Sequence, residues 1–274
     1  MRWTVGDVSQ RGWEALRLSV WCAWRLFGPD AGYTVCVNSV PLPRAKQLAG
    51  ELPEGVGWRE VLWREVPPWL GERLDPEMAE GVGWKLLPAQ VYPERHEIAL
   101  DNDCVLWEMP AAMRTFLARD DATLMAEDVD RCLGQFDAVA PEGWINSGIR
   151  GLPPGYRLDA ALQRTVAAWE TAQSASLVLL SELDEQGLQA TALGLDGRLL
   201  RVTTEEVTIC SPFWPRQTEL GTCGAHFVGL NAKAIPWNYF NRPGLEVRRE
   251  HWDRHRAALY ARAGLPLVPA RFEA

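Results

Sequence analysis

A chain of 274 residues with 47% apolar residues and 14 tryptophans can bury a sizeable core, which excludes a disordered polypeptide. Its formal charge of −8, with acids and bases interleaved, excludes a general nucleic-acid binder, which would carry a basic patch or stripe. No run reaches the ~18 apolar residues of a membrane span. The N-terminal MRWTVGDVSQR lacks a signal-like apolar region and the six cysteines form no C-x-x-C pair, so a reduced, cytoplasmic protein is expected.

In chain order, Trp3–Val5 predicts a short strand that ends in Gly6-Asp7. Gln10–Phe27 predicts a largely buried helix, because Arg11, Glu14, Arg17 and Arg25 fall near one stripe and the rest is apolar. Gly28-Pro29-Asp30 stops it, and Tyr33–Val37 predicts the next strand. Strand, helix and strand at this spacing make a βαβ unit and a parallel sheet. Pro41–Gly57 reads as a surface segment with a short helix, Arg59–Val66 as a strand, and Pro67–Ala79 as a loop. The pentapeptide EGVGW occurs at 54–58 and 80–84, too few copies for a repeat protein.

The centre of the chain is HEIALDNDCVLW, residues 96–107. Ile98-Ala99-Leu100 predicts a buried strand, and Asp101, Asn102 and Asp103 follow at once. In a regular strand the two carboxylates would point to opposite faces. They converge only if the chain turns out of the strand there, and convergent hard oxygens suit Mg²⁺ or Mn²⁺ with phosphates. Because ligands of parallel sheets bind beyond the carboxyl ends of strands, Gly6-Asp7 and Asp101–Asp103 are expected on one rim.

Further along, Met109–Ala118 predicts a helix, and Ala122–Ala126 a strand with Glu127-Asp128 at its end. Trp144–Gly151, WINSGIRG, is an apolar strand interrupted by small and polar residues. A glycine there marks close approach of a backbone or ligand. Leu158–Thr171 is a helix, and Ser181 caps another that continues through Leu193. Leu199–Cys210 predicts two strands and Ala225–Val228 a short one carrying His226. Leu245–Ala263 is a terminal helix. Its His251 and His255 have two-histidine metal spacing, but charged surroundings assign them to a solvated face.

These pieces, in this order, resemble the retaining GT-A glycosyltransferases related to glycogenin and the bacterial lipopolysaccharide galactosyltransferases, from about Trp3 to Trp237. The resemblance implies a Rossmann-like, mainly parallel α/β sheet flanked by helices, in one domain spanning residues 1–274. It implies that Asp101 and Asp103 hold Mn²⁺ (or Mg²⁺). The family's late H-x-x-G-x-x-K-P-W segment resembles His226, Gly229, Lys233, Pro236 and Trp237, with Ala234 and Ile235 inserted before the proline. It implies His226 as third ligand and Lys233 as a diphosphate contact. Asn146-Ser147-Gly148 resembles the strand near the donor sugar, and Lys85 a phosphate-binding base. Gly6-Asp7 resembles the nucleobase end of the first strand. Glu185-Gln186 resembles an Asp-Gln pair, with glutamate here in place of aspartate. These two are the catalytic candidates.

The activity so implied is metal-dependent transfer of a sugar, with retention, from a UDP-linked donor to a hydroxyl of a glycan, protein or small molecule. Two carboxylates and an imidazole favour Mn²⁺. A non-catalytic nucleotide-sugar-binding domain is the alternative. A haloacid-dehalogenase-type phosphohydrolase also fits IALDNDCV, but its nucleophile loop normally closes the first strand.

Overall fold

The computed structural model describes residues 1–74, 83–195, 197–213 and 215–269. Strands β1 (Arg2–Val5), β2 (Tyr33–Val37) and β3 (Val56–Glu60) lie side by side and parallel, linked by α1 (Gln10–Phe27) and α2 (Leu42–Ala49). β4 (Glu97–Asp101) pairs parallel with β1 on its other side. The sheet continues through β7 (Ile145–Leu152) and β6 (Ala122–Glu127) to β8 (Arg198–Val202), in the order β3-β2-β1-β4-β7-β6-β8. Among these described strands only β7 runs against the rest, so this is the mainly parallel α/β sheet the sequence predicts.

Local chemistry explains the first half closely. Ser9 Oγ accepts the Gly12 N–H at 3.0 Å and starts α1, and Gly28 ends it at φ 78, a conformation that favours glycine. The apolar face of α1 sinks Trp13, Leu16 and Val20 against Trp3, Val35 and Leu100. The third strand is displaced from the expected Arg59–Val66. Pairing with β2 takes up Val56–Glu60, after which the Glu65 carboxylate accepts the Leu62 N–H at 2.9 Å and closes a 3₁₀ turn at Trp63–Glu65. A polar side chain capturing a backbone amide overrides the apolar pattern there. Part of the Pro67–Ala79 loop and of the second EGVGW lies outside the described residues.

A second sheet sits at the end of β4. Its strands are β5 (Cys104–Leu106), β9 (Val207–Ile209) and β10 (Gly224–His226), ordered β5-β10-β9. Further helices among the described residues include α3 (Pro68–Gly71), α4 (Ala111–Leu117), α5 (Leu158–Gln173), α6 (Glu182–Leu195) and α7 (Gly244–Ala263). No helix among the described residues is long and apolar enough to cross a membrane.

α7 corrects one expectation. His251 and His255 are buried, not solvated. Their face of the helix, with Trp252 and Leu259, packs on α1 and on Phe227 just beyond β10. The sequence pattern hides this because that face also carries polar groups paired inside the protein. Glu14 of α1 accepts from Trp252 Nε1 at 3.0 Å, Arg256 Nε at 2.8 Å and the Tyr260 hydroxyl at 2.6 Å.

Candidate active site

The turn that the acidic triplet requires is the junction between the two sheets. Asp101 ends β4 in the large sheet, and Cys104 opens β5 in the small one. β5 pairs antiparallel with β10, so Cys104 faces His226 across the ladder. The Phe227 N–H donates to the Asp103 carbonyl at 2.9 Å and closes the corner. Asn102, the middle residue, points away from the carboxylates. Its Nδ2 donates to Gly12 O at 3.1 Å and to Asn231 Oδ1 at 2.7 Å, and Asn231 Nδ2 returns a bond at 3.0 Å. With Asn102 anchored, the flanking carboxylates are held toward His226.

His226 Nε2 lies 3.5 Å from Asp101 Oδ2 and 3.4 Å from Asp103 Oδ1. One ligand atom from each residue lies within 4.8 Å of the other two. Burial alone would lower the imidazole, but Asp101 and Asp103 outweigh it and raise its pKa to about 9. Burial also pushes Asp101 up, yet Lys85 and His226 hold it below the usual carboxylate range. Lys85 Nζ bonds Asp101 Oδ2 at 2.8 Å. Asp103 Oδ1 and His226 Nδ1 are buried without a hydrogen-bond partner. Two carboxylates and one imidazole with unused acceptor capacity fit a divalent cation such as Mn²⁺ or Mg²⁺.

The strand of small residues explains how the imidazole fits. Met125 pairs with Arg150 while Ala126 pairs with Asn146, so Ser147, Gly148 and Ile149 bulge out of the β6–β7 ladder. A Cβ added at Gly148 would lie 2.5 Å from His226 Nδ1, too close to tolerate. Asn146 Oδ1 accepts the Gly148 N–H at 2.8 Å, and its Nδ2 donates to Asp128 Oδ2 at 2.9 Å. Gln186 Oε1 accepts the Ser147 N–H at 3.0 Å, and its Nε2 donates to the Cys132 carbonyl at 2.9 Å. Glu185 is fully buried, and its pKa rises to about 7 because burial disfavours the carboxylate. Its Oε1 accepts from Gln189 Nε2, Gln189 Oε1 accepts from Arg150 Nη1, and its Oε2 has no partner.

Asp7, Gly229 and Lys233 belong to a different part of the site. Lys233 Nζ pairs with Asp7 Oδ2 at 2.5 Å, both side chains being about half exposed. They border a cleft of about 470 Å³ whose other charged walls are Arg11, Arg44, Arg248 and Arg249. Gly229, at φ 77, packs against the Arg248 guanidinium, which stacks 4.9 Å above the Phe213 ring. Burial lowers the Arg248 pKa, and the charge of Asp103 opposes that shift. The guanidinium therefore lines the cleft within electrostatic reach of Asp103.

Arg150, Gln189 and Arg248 escaped the sequence reading. Arg150 lies two residues past Gly148 in WINSGIRG, and Gln189 lies one helical turn after Glu185, so both had a usable signal. Arg248 had none, since only tertiary packing brings α7 beside Gly229.

No protein-family model and no curated protein matches the sequence. Solved structures do. The chain is similar to galactosyltransferase LgtC in complex with donor and acceptor sugar analogs, at 13% identity and a TM-score of 0.52, covering 98% of this chain and 96% of that one. It is similar to mouse xyloside xylosyltransferase 1 in its apo form, at 13% identity and a TM-score of 0.51, covering 84% of this chain and 98% of that one. At such identities the likeness is one of fold, and the fold is that of the GT-A glycosyltransferases.

Proposed function

We propose that this GT-A fold transfers a sugar from a nucleotide donor, UDP-linked, to a hydroxyl acceptor with retention of configuration. One observation carries the reading: Asp101, Asp103 and His226 converge at the carboxyl edge of the sheet, next to a cleft with basic walls. Asp101, Asp103 and His226 would hold Mn²⁺ or Mg²⁺, which when bound supplies a Lewis acid for the diphosphate.

The protein's own groups do the rest. The nucleoside end of the donor occupies the cleft beside Asp7. When the bond from the sugar to the β-phosphate breaks, negative charge builds on the leaving diphosphate. Fixed cations preorganised around it stabilise that charge more in the transition state than in the ground state. Arg248 and Lys233 line the cleft, so both fit that task. Arg248 is the better held, by Phe213 and Gly229, whereas Lys233 is half exposed and engaged by Asp7. On the sugar side, Gln186 fixes the backbone of Ser147 and so the bulge beneath the donor. Glu185 presents an unpartnered Oε2, positioned by Gln189 and Arg150. Its carboxylate stabilises the oxocarbenium-like sugar or attacks it to form a covalent intermediate. The acceptor is a glycan, protein or small molecule reaching the sugar from the open side.

The test is calorimetric titration of UDP into chelator-treated protein, with and without Mn²⁺, on wild type and Asp103→Ala. Binding that needs Mn²⁺ and weakens at least a hundredfold in the variant is expected. Hydrolysis of a UDP-sugar pool should release UDP. Release of inorganic phosphate, or no binding of UDP or any other nucleotide, would overturn the reading and favour phosphohydrolase chemistry.

A further inference from the structure

A second cluster of ligating side chains lies on the far side of β10 and takes no part in the proposed chemistry. Cys210, directly after β9, and His251 and His255, one turn apart on α7, are all buried. One ligand atom from each lies within 4.8 Å of the other two. Cys210 Sγ is 3.3 Å from His251 Nε2, and the two imidazole rings are 5.0 Å apart at 76°. We propose that Cys210, His251 and His255 form a structural site for a soft divalent cation of the Zn²⁺ class, clamping α7 to the end of β9, the strand beside the one that carries His226.

Four features support it. First, the chemistry selects the ion: one thiolate and two imidazoles suit Zn²⁺, whereas the Asp101–Asp103–His226 set has no sulfur and suits harder ions. Second, the spacing is right. In a tetrahedral site with Zn–S of about 2.3 Å and Zn–N of about 2.0 Å, sulfur and nitrogen sit roughly 3.5 Å apart. The observed 3.3 Å is close to that edge. Third, a ligating histidine is usually oriented by a bond from its other nitrogen to a carbonyl. His255 Nε2 is 2.7 Å from the Thr218 carbonyl and so must donate to it, leaving Nδ1 with the lone pair. Fourth, the three side chains are buried beside Phe227 and Trp252, so an ion held there would be closed off from solvent as structural sites are.

The charges around the site can be followed. Arg216, Arg248 and Arg254 lie within electrostatic reach of His251, and Glu219 and Arg254 within reach of Cys210. Binding breaks the Cys210 S–H bond, forms a sulfur–metal bond and releases the thiol proton to solvent, so the thiolate offsets one of the two positive charges. A water would complete four-coordination. The Cys210 N–H bonds the His226 carbonyl at 2.8 Å, and His251 lies one turn beyond Arg248. A cation here would therefore pin both the strand of His226 and the helix of Arg248.

The experiment uses cobalt, because only a sulfur ligand gives a cobalt–thiolate charge-transfer band. Full-length protein is stripped of metal under reducing conditions, checked for native circular dichroism, and titrated with Co²⁺ and then Zn²⁺. The expected result is a near-ultraviolet thiolate band that saturates at one equivalent, with one proton released, and is bleached by Zn²⁺. The band should persist in Asp103→Asn and vanish in Cys210→Ser. His255→Gln should weaken cobalt at least tenfold, which guards against a Cys210 variant that fails to fold. Folded wild-type protein that shows no thiolate band at saturating Co²⁺ overturns the proposal, as does a band that survives in folded Cys210→Ser. Neither result bears on UDP binding.

Discussion

Glu185 shows how a single substitution reads out its surroundings. Burial raises its pKa from an ordinary 4.5 to about 7, so the folded protein holds a proton that the unfolded chain releases between those values. Stability therefore falls as pH rises through that window, and this contribution is fully lost above about 7. Glu185→Gln keeps an acceptor for Gln189 and removes the ionisation. It should match wild type in stability near pH 4.5 and exceed it at pH 8 by on the order of 3 kcal/mol, since each tenfold change in proton affinity is worth about 1.4 kcal/mol. Urea denaturation at the two pH values measures the difference, and equal stabilities at pH 8 would show that the carboxylate is not desolvated. If the carboxylate is the form that works on the donor, turnover in wild type should decline as pH drops below about 7. In Glu185→Gln turnover should be low throughout, with that limb absent.

Between elements, the anchor of α7 on α1 is a buried polar knot. Glu14 is the acid at its centre, and it accepts from Trp252, Arg256 and Tyr260 of α7. Glu14→Ala leaves the Arg256 guanidinium without its carboxylate in a buried setting, which typically costs about 3–5 kcal/mol. Glu14→Gln should cost less, because an amide oxygen still accepts one or two of these bonds. Chemical denaturation of both variants tests the ordering, and a Gln variant as unstable as the Ala one would refute it. The knot also explains why α7 looks solvated from its sequence. A helix whose buried face carries His251, His255 and Arg256 has almost no amphipathic signature, because each polar group is satisfied by a partner far along the chain. The third strand departs from its pattern for a similar reason. Val61, Leu62 and Trp63 look like strand continuation, but the Glu65 side chain takes the Leu62 amide and turns the chain.

At the scale of the whole molecule, the Asp101–Asp103–His226 cluster and the basic cleft lie where both sheets and α7 meet, so a ligand that spans them ties the parts together. Mn²⁺ with UDP at a hundredfold excess over Kd should stabilise the folded state by about 2.7 kcal/mol. For a chain of this size that raises Tm by roughly 5–10 °C. Differential scanning fluorimetry should show the rise only when both components are present, and an unchanged Tm with both would contradict a shared site. Whatever depends on near neighbours was legible in the amino-acid order alone. That covers α1, β1, β2 and β4, the acidic triplet at a strand end and the small-residue strand at Asn146–Gly148, whereas His226 became a candidate ligand only through the family resemblance. Periodicity, capping and glycine placement act over a few residues and are readable there. Whatever depends on distant partners emerged only once the chain was folded. Folding set the reversal of β7, the corner that turns Asp101 and Asp103 onto His226, the Arg150–Gln189–Glu185 chain, and the burial of His251 and His255 beside Cys210. These contacts join residues far apart in the chain, and packing and desolvation, which no local pattern encodes, select them.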